Sequence, residues 1–142
     1  VVNIKRVLGL DVGDKWIGVA ISDSLGLIAQ TLKTIKRETS KQTLEEISKI
    51  ISEYEIEKVV VGLPKNMNNT IGPQGEKTMK FASRLSRKYE IEIIYIDERM
   101  SSISAERVLI EADVRRENRK KYIDQIAATY ILQTYLDGLK EK

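Results

Sequence analysis

Apolar positions along this chain fall into short runs and periodic stretches that predict a sheet crossed by helices. Ile4 to Asp11 (IKRVLGLD) is a nearly continuous apolar run, as a strand covered on both faces requires. Val12-Gly13-Asp14-Lys15 turns the chain, and Trp16 to Ser22 predicts a second strand, close enough to pair with the first as an antiparallel hairpin. Leu27 to Ile35 reads as a third strand entered through Gly26. Ser40 then precedes a helical stretch with Leu44, Ile47, Ile51 and Tyr54 on one face. Lys58 to Gly62 is a short apolar strand, hence central, followed by a polar loop from Leu63 to Gly72. Pro73 suits the first turn of the next helix, whose inner face is Phe81, Ala82, Leu85 and Tyr89. Ile91 to Asp97 is a fifth strand. Ser101 or Ser102 can cap a further helix carrying Ile103, Ala105, Val108 and Leu109, and a final helix runs from Tyr122 to about Asp137.

The resulting order is β-β-β-α-β-α-β-α-α. Three antiparallel strands come first, then strands joined by helical crossovers, which pair in parallel. This is an α/β domain with a mixed five-stranded sheet and helices on both faces, the pattern of the ribonuclease H-like fold. With no repeat, low-complexity tract or linker, residues 1–142 read as a single domain. Topology alone does not fix a function.

Composition narrows the chemistry. The chain has no cysteine and no histidine. That excludes disulfides, thiolate nucleophiles, thiolate zinc and iron–sulfur sites, and any triad or metal site built on imidazole. Acid–base or metal work must fall to Asp, Glu, Lys, Tyr or water. No serine stands three residues before a lysine, which removes the usual Ser-Lys pattern, and no phosphate loop of the Gly-x-x-x-x-Gly-Lys-Ser/Thr type occurs. The net charge of +3 is too small to argue nucleic-acid binding unless it is concentrated. No apolar run approaches the ~18 residues of a membrane span, and Val1 to Arg6 does not resemble a signal peptide, so a cytoplasmic protein with no membrane partner is expected. Trp16, Phe81 and Tyr89 are most simply core residues.

Four places can carry chemistry. Asp11 closes the first strand, at the end where open α/β sheets hold their ligands, although it also reads as a turn residue beside Gly13, paired with Lys15. Asp97 and Glu98 close the fifth strand, and since neighbours on a strand point to opposite faces, at most one shares Asp11's side. Asp124 is in helical line with Ala127, Ala128, Ile131 and Tyr135, where an acidic side chain is costly without a task, unless it simply favours the helix amino terminus. Arg115-Arg116-Glu117-Asn118-Arg119-Lys120-Lys121 holds five cations against one anion just ahead of it, either a solvated loop or a phosphate contact. In the loop after the central strand, Lys65 and Asn66 can meet phosphate, or form a plain polar turn. Three converging carboxylates suit Mg²⁺ or Mn²⁺, and two such ions can activate water and steady the leaving oxygen of a phosphodiester.

Four blocks match a known family in order and over almost the whole chain: LGLDVGDKWIGVAISD (Leu8 to Asp23), VVGLPKNMNNTIGPQGE (Val60 to Glu76), DERMSSISAERVLIEADV (Asp97 to Val114) and RKKYIDQIAATYILQTYLD (Arg119 to Asp137). The sequence resembles the YqgF/RuvX family of Holliday-junction-resolvase-like nucleases linked to ribosomal RNA maturation. The resemblance implies a ribonuclease H-like fold and an acidic triad of Asp11, Glu98 and Asp124 that binds divalent metal. It thereby decides for Glu98 over Asp97, and it implies roles for Lys15, Asn66 and Arg99 near substrate phosphates. Two positions depart from the family pattern. Trp16 stands where many members have Arg or Thr, so the resemblance does not carry over a phosphate contact at that position. Asn69 stands where Gly is common, a change that Asn tolerates because it accepts positive φ.

Function is therefore expected to be metal-dependent hydrolysis of structured RNA, the family implying the 5′ end of precursor 16S rRNA, with two Mg²⁺ or Mn²⁺ ions held by the triad. Resolution of branched DNA is the nearest alternative and needs a homodimer rather than a monomer. An actin-like ATPase needs two such domains around a nucleotide. A non-catalytic module binding RNA or a transcription complex is the alternative from another class.

Overall fold

The computed structural model describes residues 5–98 and 119–140. Five strands, β1 (Arg6–Val12), β2 (Trp16–Ser22), β3 (Ala29–Lys36), β4 (Ile56–Leu63) and β5 (Glu92–Asp97), form one sheet in the order β3-β2-β1-β4-β5. The pairs β1–β2 and β2–β3 are antiparallel, while β1–β4 and β4–β5 are parallel. Three helices accompany them among the described residues: α1 (Ser40–Glu53), α2 (Pro73–Tyr89) and α3 (Arg119–Lys140). The expected mixed five-stranded sheet is present. The helix expected around Ile103 to Leu109 lies outside the described residues.

Alternation along β1 divides its side chains between two cores. Leu8, Leu10 and Val12 point to one face, where they meet Ile47 of α1 and Phe81 and Leu85 of α2. Val7 points to the other, where Val60, Ala128, Ile131 and Leu132 gather beneath α3. Helices thus cover both faces of the sheet, and the central strands β1 and β4 are buried from both sides.

Several boundaries differ from the sequence expectation. The third strand begins at Ala29 rather than Leu27, because Asp23 turns the chain first: its carboxylate accepts from the Leu27 amide at 2.8 Å and the Ile28 amide at 3.3 Å. Those two apolar residues are consequently exposed. Ser40 is the first residue of α1, and Thr39 caps it by accepting from Gln42 N at 3.1 Å. Ile50 is buried beneath α1, while Ile51 and Tyr54 pack at the core's margin. Phe81 is buried in the α1/α2 core and Tyr89 packs against it, while Trp16 is half-buried.

The final helix starts at Arg119, three residues before the expected Tyr122. Its first turn contains no acidic residue, so its local charge opposes the helix dipole, and this is why sequence patterning placed the start later. Arg and Lys are nonetheless good helix formers, and a long buried stripe further along supplies the stabilisation.

Candidate active site

Asp11 lies inside β1, opposite Gly18 of β2, and is 5% exposed. The hairpin is closed one turn later, where Gly13 N donates to Trp16 O at 2.9 Å, leaving Asp14 and Lys15 exposed at its tip. Arg37 fastens this tip, donating from its guanidinium to Gly13 O at 3.0 Å while stacking over Phe81. Asp11 has the same parity as Val7 and Gly9, so it faces α3. A carboxylate so deeply buried is costly unless donors or cations compensate it.

Parallel pairing of β1 with β4 matches Leu10 to Val61, which puts Gly62 beside Asp11 in the neighbouring strand. Gly62 has no side chain for a specific reason. A Cβ there would collide with Ile131 of α3 and come within 3.0 Å of Glu98 Oε1. The Glu98 carboxylate therefore stands over Gly62 on the face that Asp11 shares. Asp97 has the opposite parity, that of Ile93, which packs against the α1/α2 core. The ambiguity between Asp97 and Glu98 is thus resolved geometrically.

Gly9 acts in the same way, two residues before Asp11 on β1. A Cβ at Gly9 would lie 2.7 Å from Leu132 Cβ and 3.0 Å from the Ala128 carbonyl oxygen, so α3 rests almost directly on the sheet backbone. Farther along, Gln133 of α3 accepts from Ala29 N at 2.8 Å and donates to Leu27 O at 3.1 Å. These contacts fix the direction of α3, antiparallel to β1. Its later residues lie toward the amino end of β1, and its earlier ones toward the carboxyl ends of β1 and β4. The backbone of Asp124, one turn before Ala128, is therefore at the end of the sheet that carries Asp11 and Glu98. It is also the sixth residue of α3, past the first turn in which a helix dipole rewards an acidic residue.

The other expected contacts are spread around this end. Lys15 is exposed on the hairpin tip, and Lys65 is half-buried at the start of the loop after β4. Asn66 organises that loop, with its amide donating to Thr70 O at 2.8 Å and its side chain to Thr70 Oγ1 at 3.0 Å. Asn69 adopts φ 69°, the conformation glycine would favour, as its substitution for Gly anticipates. Arg119, Lys120 and Lys121 belong to the first turn of α3 rather than to a loop ahead of it. Arg99, Arg115 and Arg116 lie outside the described residues.

Sequence reasoning passed over Gly9 and Gly62, which set how closely α3 approaches the carboxylates. The available signal was a glycine interrupting each of two otherwise apolar central strands.

The strand order and pairing define a class, a ribonuclease H-like domain. The T. thermophilus RuvC structure in complex with Holliday junction substrate superposes with a TM-score of 0.61 at 10% identity, covering 96% of this chain and 97% of that one. The fowlpox virus resolvase in complex with Holliday junction DNA gives a TM-score of 0.54 at 14% identity, over 94% and 98% of the two chains. At such identities these likenesses concern fold.

Sequence comparison is more specific. Residues 5–138 match the family described as RuvX, Holliday junction resolvase, and the chain belongs to that family. A Thermoanaerobacter pseudethanolicus protein is 56% identical over 138 residues, covering 96% of this chain and 99% of its own length. Relatives from Clostridioides difficile and Clostridium tetani are 56% and 54% identical over 93% and 96% of this chain. All three carry the name of a pre-16S rRNA nuclease.

Proposed function

We propose that this protein is a metal-dependent nuclease that processes the 5′ end of precursor 16S rRNA, working in the cytoplasm as a single domain over residues 1–142. Family membership supports phosphodiester hydrolysis as the reaction class, and the relatives' name supports the substrate. The observation that carries the reading is the placement of Asp11 and Glu98 on one face of the sheet, on either side of Gly62.

This donor set fits divalent Mg²⁺ or Mn²⁺. It is all oxygen, with Asp11 on β1 and Glu98 at the end of β5, and the bare backbone of Gly62 on the β4 strand between them lets the Glu98 carboxylate stand over it. Asp11, Glu98 and Asp124 would hold the ions, which when bound supply an activated water and charge compensation for the leaving oxygen. Asp11 contributes a carboxylate fixed in a central strand, so little reorganisation accompanies binding. Lys15 at the hairpin tip, Lys65 and Asn66 after β4, and Arg99, Arg115, Arg116, Arg119, Lys120 and Lys121 position the phosphate backbone.

A second reading keeps the chemistry and exchanges the substrate for a branched DNA junction, as the family description favours. It requires a homodimer to cut two strands together, whereas the RNA reading is satisfied by a monomer.

The test offers labelled precursor rRNA and a four-way DNA junction side by side, with Mg²⁺ or Mn²⁺. Cleavage of the RNA is expected, and Asp11→Asn is expected to reduce it by about 10²- to 10³-fold, the scale on which losing one charge-stabilising group acts in a polar site. Cleavage unchanged in Asp11→Asn sinks the assignment, and cleavage of the junction alone replaces the substrate.

A further inference from the structure

Away from the carboxylates, α2 carries an unusual distribution of charge. Lys77, Lys80, Arg84, Arg87 and Lys88 recur at helical spacing along one exposed side, whereas Glu76 in the first turn is the helix's one acidic residue. Among the described residues, Lys80, Arg84 and Arg87 have no ion-pair partner within 4.0 Å. Lys77 reaches only Asp14, at 4.0 Å. Five cations held on one ridge with so little neutralisation repel each other, a cost that an anionic partner would relieve.

The ridge has a definite relation to the candidate active site. α2 begins just after the loop that leaves the carboxyl end of β4, so its amino end lies at the same rim as Asp11. The Lys77–Asp14 contact ties it to the hairpin tip, next to Lys15. From there the cations run down the α1/α2 side of the sheet for about 16 Å, at 1.5 Å per helical residue. At the far end Arg84, Arg87 and Lys88 border a shallow groove of about 450 Å³ floored by Leu44 of α1. The apolar side of α2 is already used, with Phe81, Ala82 and Leu85 buried against the sheet. The cationic side is exposed to a partner.

We infer that the α2 ridge is a second nucleic-acid contact, a track for the phosphate backbone of a duplex arm of the RNA substrate that continues past the rim of the active site. The inference rests on the nuclease reading and extends it. A linear row of cations matches a regularly charged backbone better than a compact anion, and its length lies across several successive phosphates. The aromatic residues of α2 are turned to the core, Phe81 buried and Tyr89 packed at its margin under Lys88 at 5.6 Å, so the ridge reads charge and shape rather than stacking on bases. The ridge would hold the body of the substrate while the carboxylates meet the scissile bond.

The experiment compares wild type with the triple variant Lys80→Ala/Arg84→Ala/Arg87→Ala. All three positions are exposed, and an unchanged circular dichroism spectrum and melting temperature establish that the variant folds. Binding of a labelled RNA hairpin with a long duplex arm is measured in EDTA over a series of KCl concentrations. Removing one cation from a phosphate flattens the slope of log K against log salt by about 0.7 to 0.9, so the triple variant should lower it by about 2 to 3 and weaken binding at least about tenfold. Cleavage of a short RNA lacking the arm should proceed at the wild-type rate. An unchanged slope and affinity with the hairpin overturns the ridge assignment and leaves the nuclease reading standing. Weakened binding of a four-way DNA junction without any change on RNA overturns the choice of RNA. A wild type that neither binds nor cleaves nucleic acid removes the nuclease reading and this inference with it.

Discussion

The two faces of the sheet are packed by different means. On one, α1 and α2 press large side chains, Ile47, Phe81 and Leu85, against Leu8, Leu10 and Val59. On the other, among the described residues, α3 approaches through Gly9, Gly62, Ala127 and Ala128, where the surfaces are nearly backbone against backbone. The first arrangement gives apolar area and therefore stability. The second gives proximity. By lying close, α3 brings its early residues to the strand ends that carry Asp11 and Glu98. One face supplies buried area, and the other brings α3 to the candidate carboxylates.

Paired substitutions test that division. Leu85→Ala, at a fully buried position on the α1/α2 face, should have the largest effect on stability, about 2 to 5 kcal/mol by urea denaturation, with cleavage by the folded protein unchanged. Gly62→Ala on the other face should cost less, about 1 to 3 kcal/mol, because Ile131 can shift. Its cleavage rate should fall much further, on the order of 10²-fold, as the new methyl displaces the Glu98 carboxylate. If activity in Gly62→Ala merely follows the folded fraction, the contrast between the faces fails.

The smallest effect belongs to the β2–β3 turn, remote from the strand ends that carry the carboxylates. Asp23 has its pKa lowered, chiefly by the hydrogen bond from the Leu27 amide, with the Ile28, Gly26 and Leu25 amides adding to it against some desolvation. A lowered carboxyl pKa stabilises the fold above the unfolded-state value, and that stabilisation is lost as pH falls through the folded-state value. Asp23→Asn should therefore lower the melting temperature slightly at pH 7. The difference should vanish on acidification below the ordinary aspartate range, where the wild-type side chain is itself protonated. A gap that persists there would assign the effect to something other than charge.

Much of this was legible in the chain. The apolar runs of β1, β2 and β4 appear where strands form, because buried strands need unbroken apolar sequence. Asp11 stood out as a polar residue ending such a run. The start of β3 was not legible, since Leu27 and Ile28 look like strand residues and are held out of the sheet by the Asp23 turn. The start of α3 was missed because Arg119, Lys120 and Lys121 oppose the helix dipole, a local penalty outweighed by packing of Ala127, Ala128, Ile131 and Leu132. The α2 ridge was present in the spacing of its lysines and arginines, but its meaning depended on knowing that the helix starts at the rim of the site.

The sequence by itself determined the types and order of the described elements, and it limited a metal site to oxygen ligands, since no cysteine or histidine is present. It also required that Asp97 and Glu98 point to opposite faces. Which of them joins Asp11 was decided only by tertiary structure. Alternation in a strand sets the relation between neighbours, but it is blind to which face a distant helix will cover. That choice was made where α3 settles over Gly9 and Gly62, because only a surface without side chains lets a helix come so close.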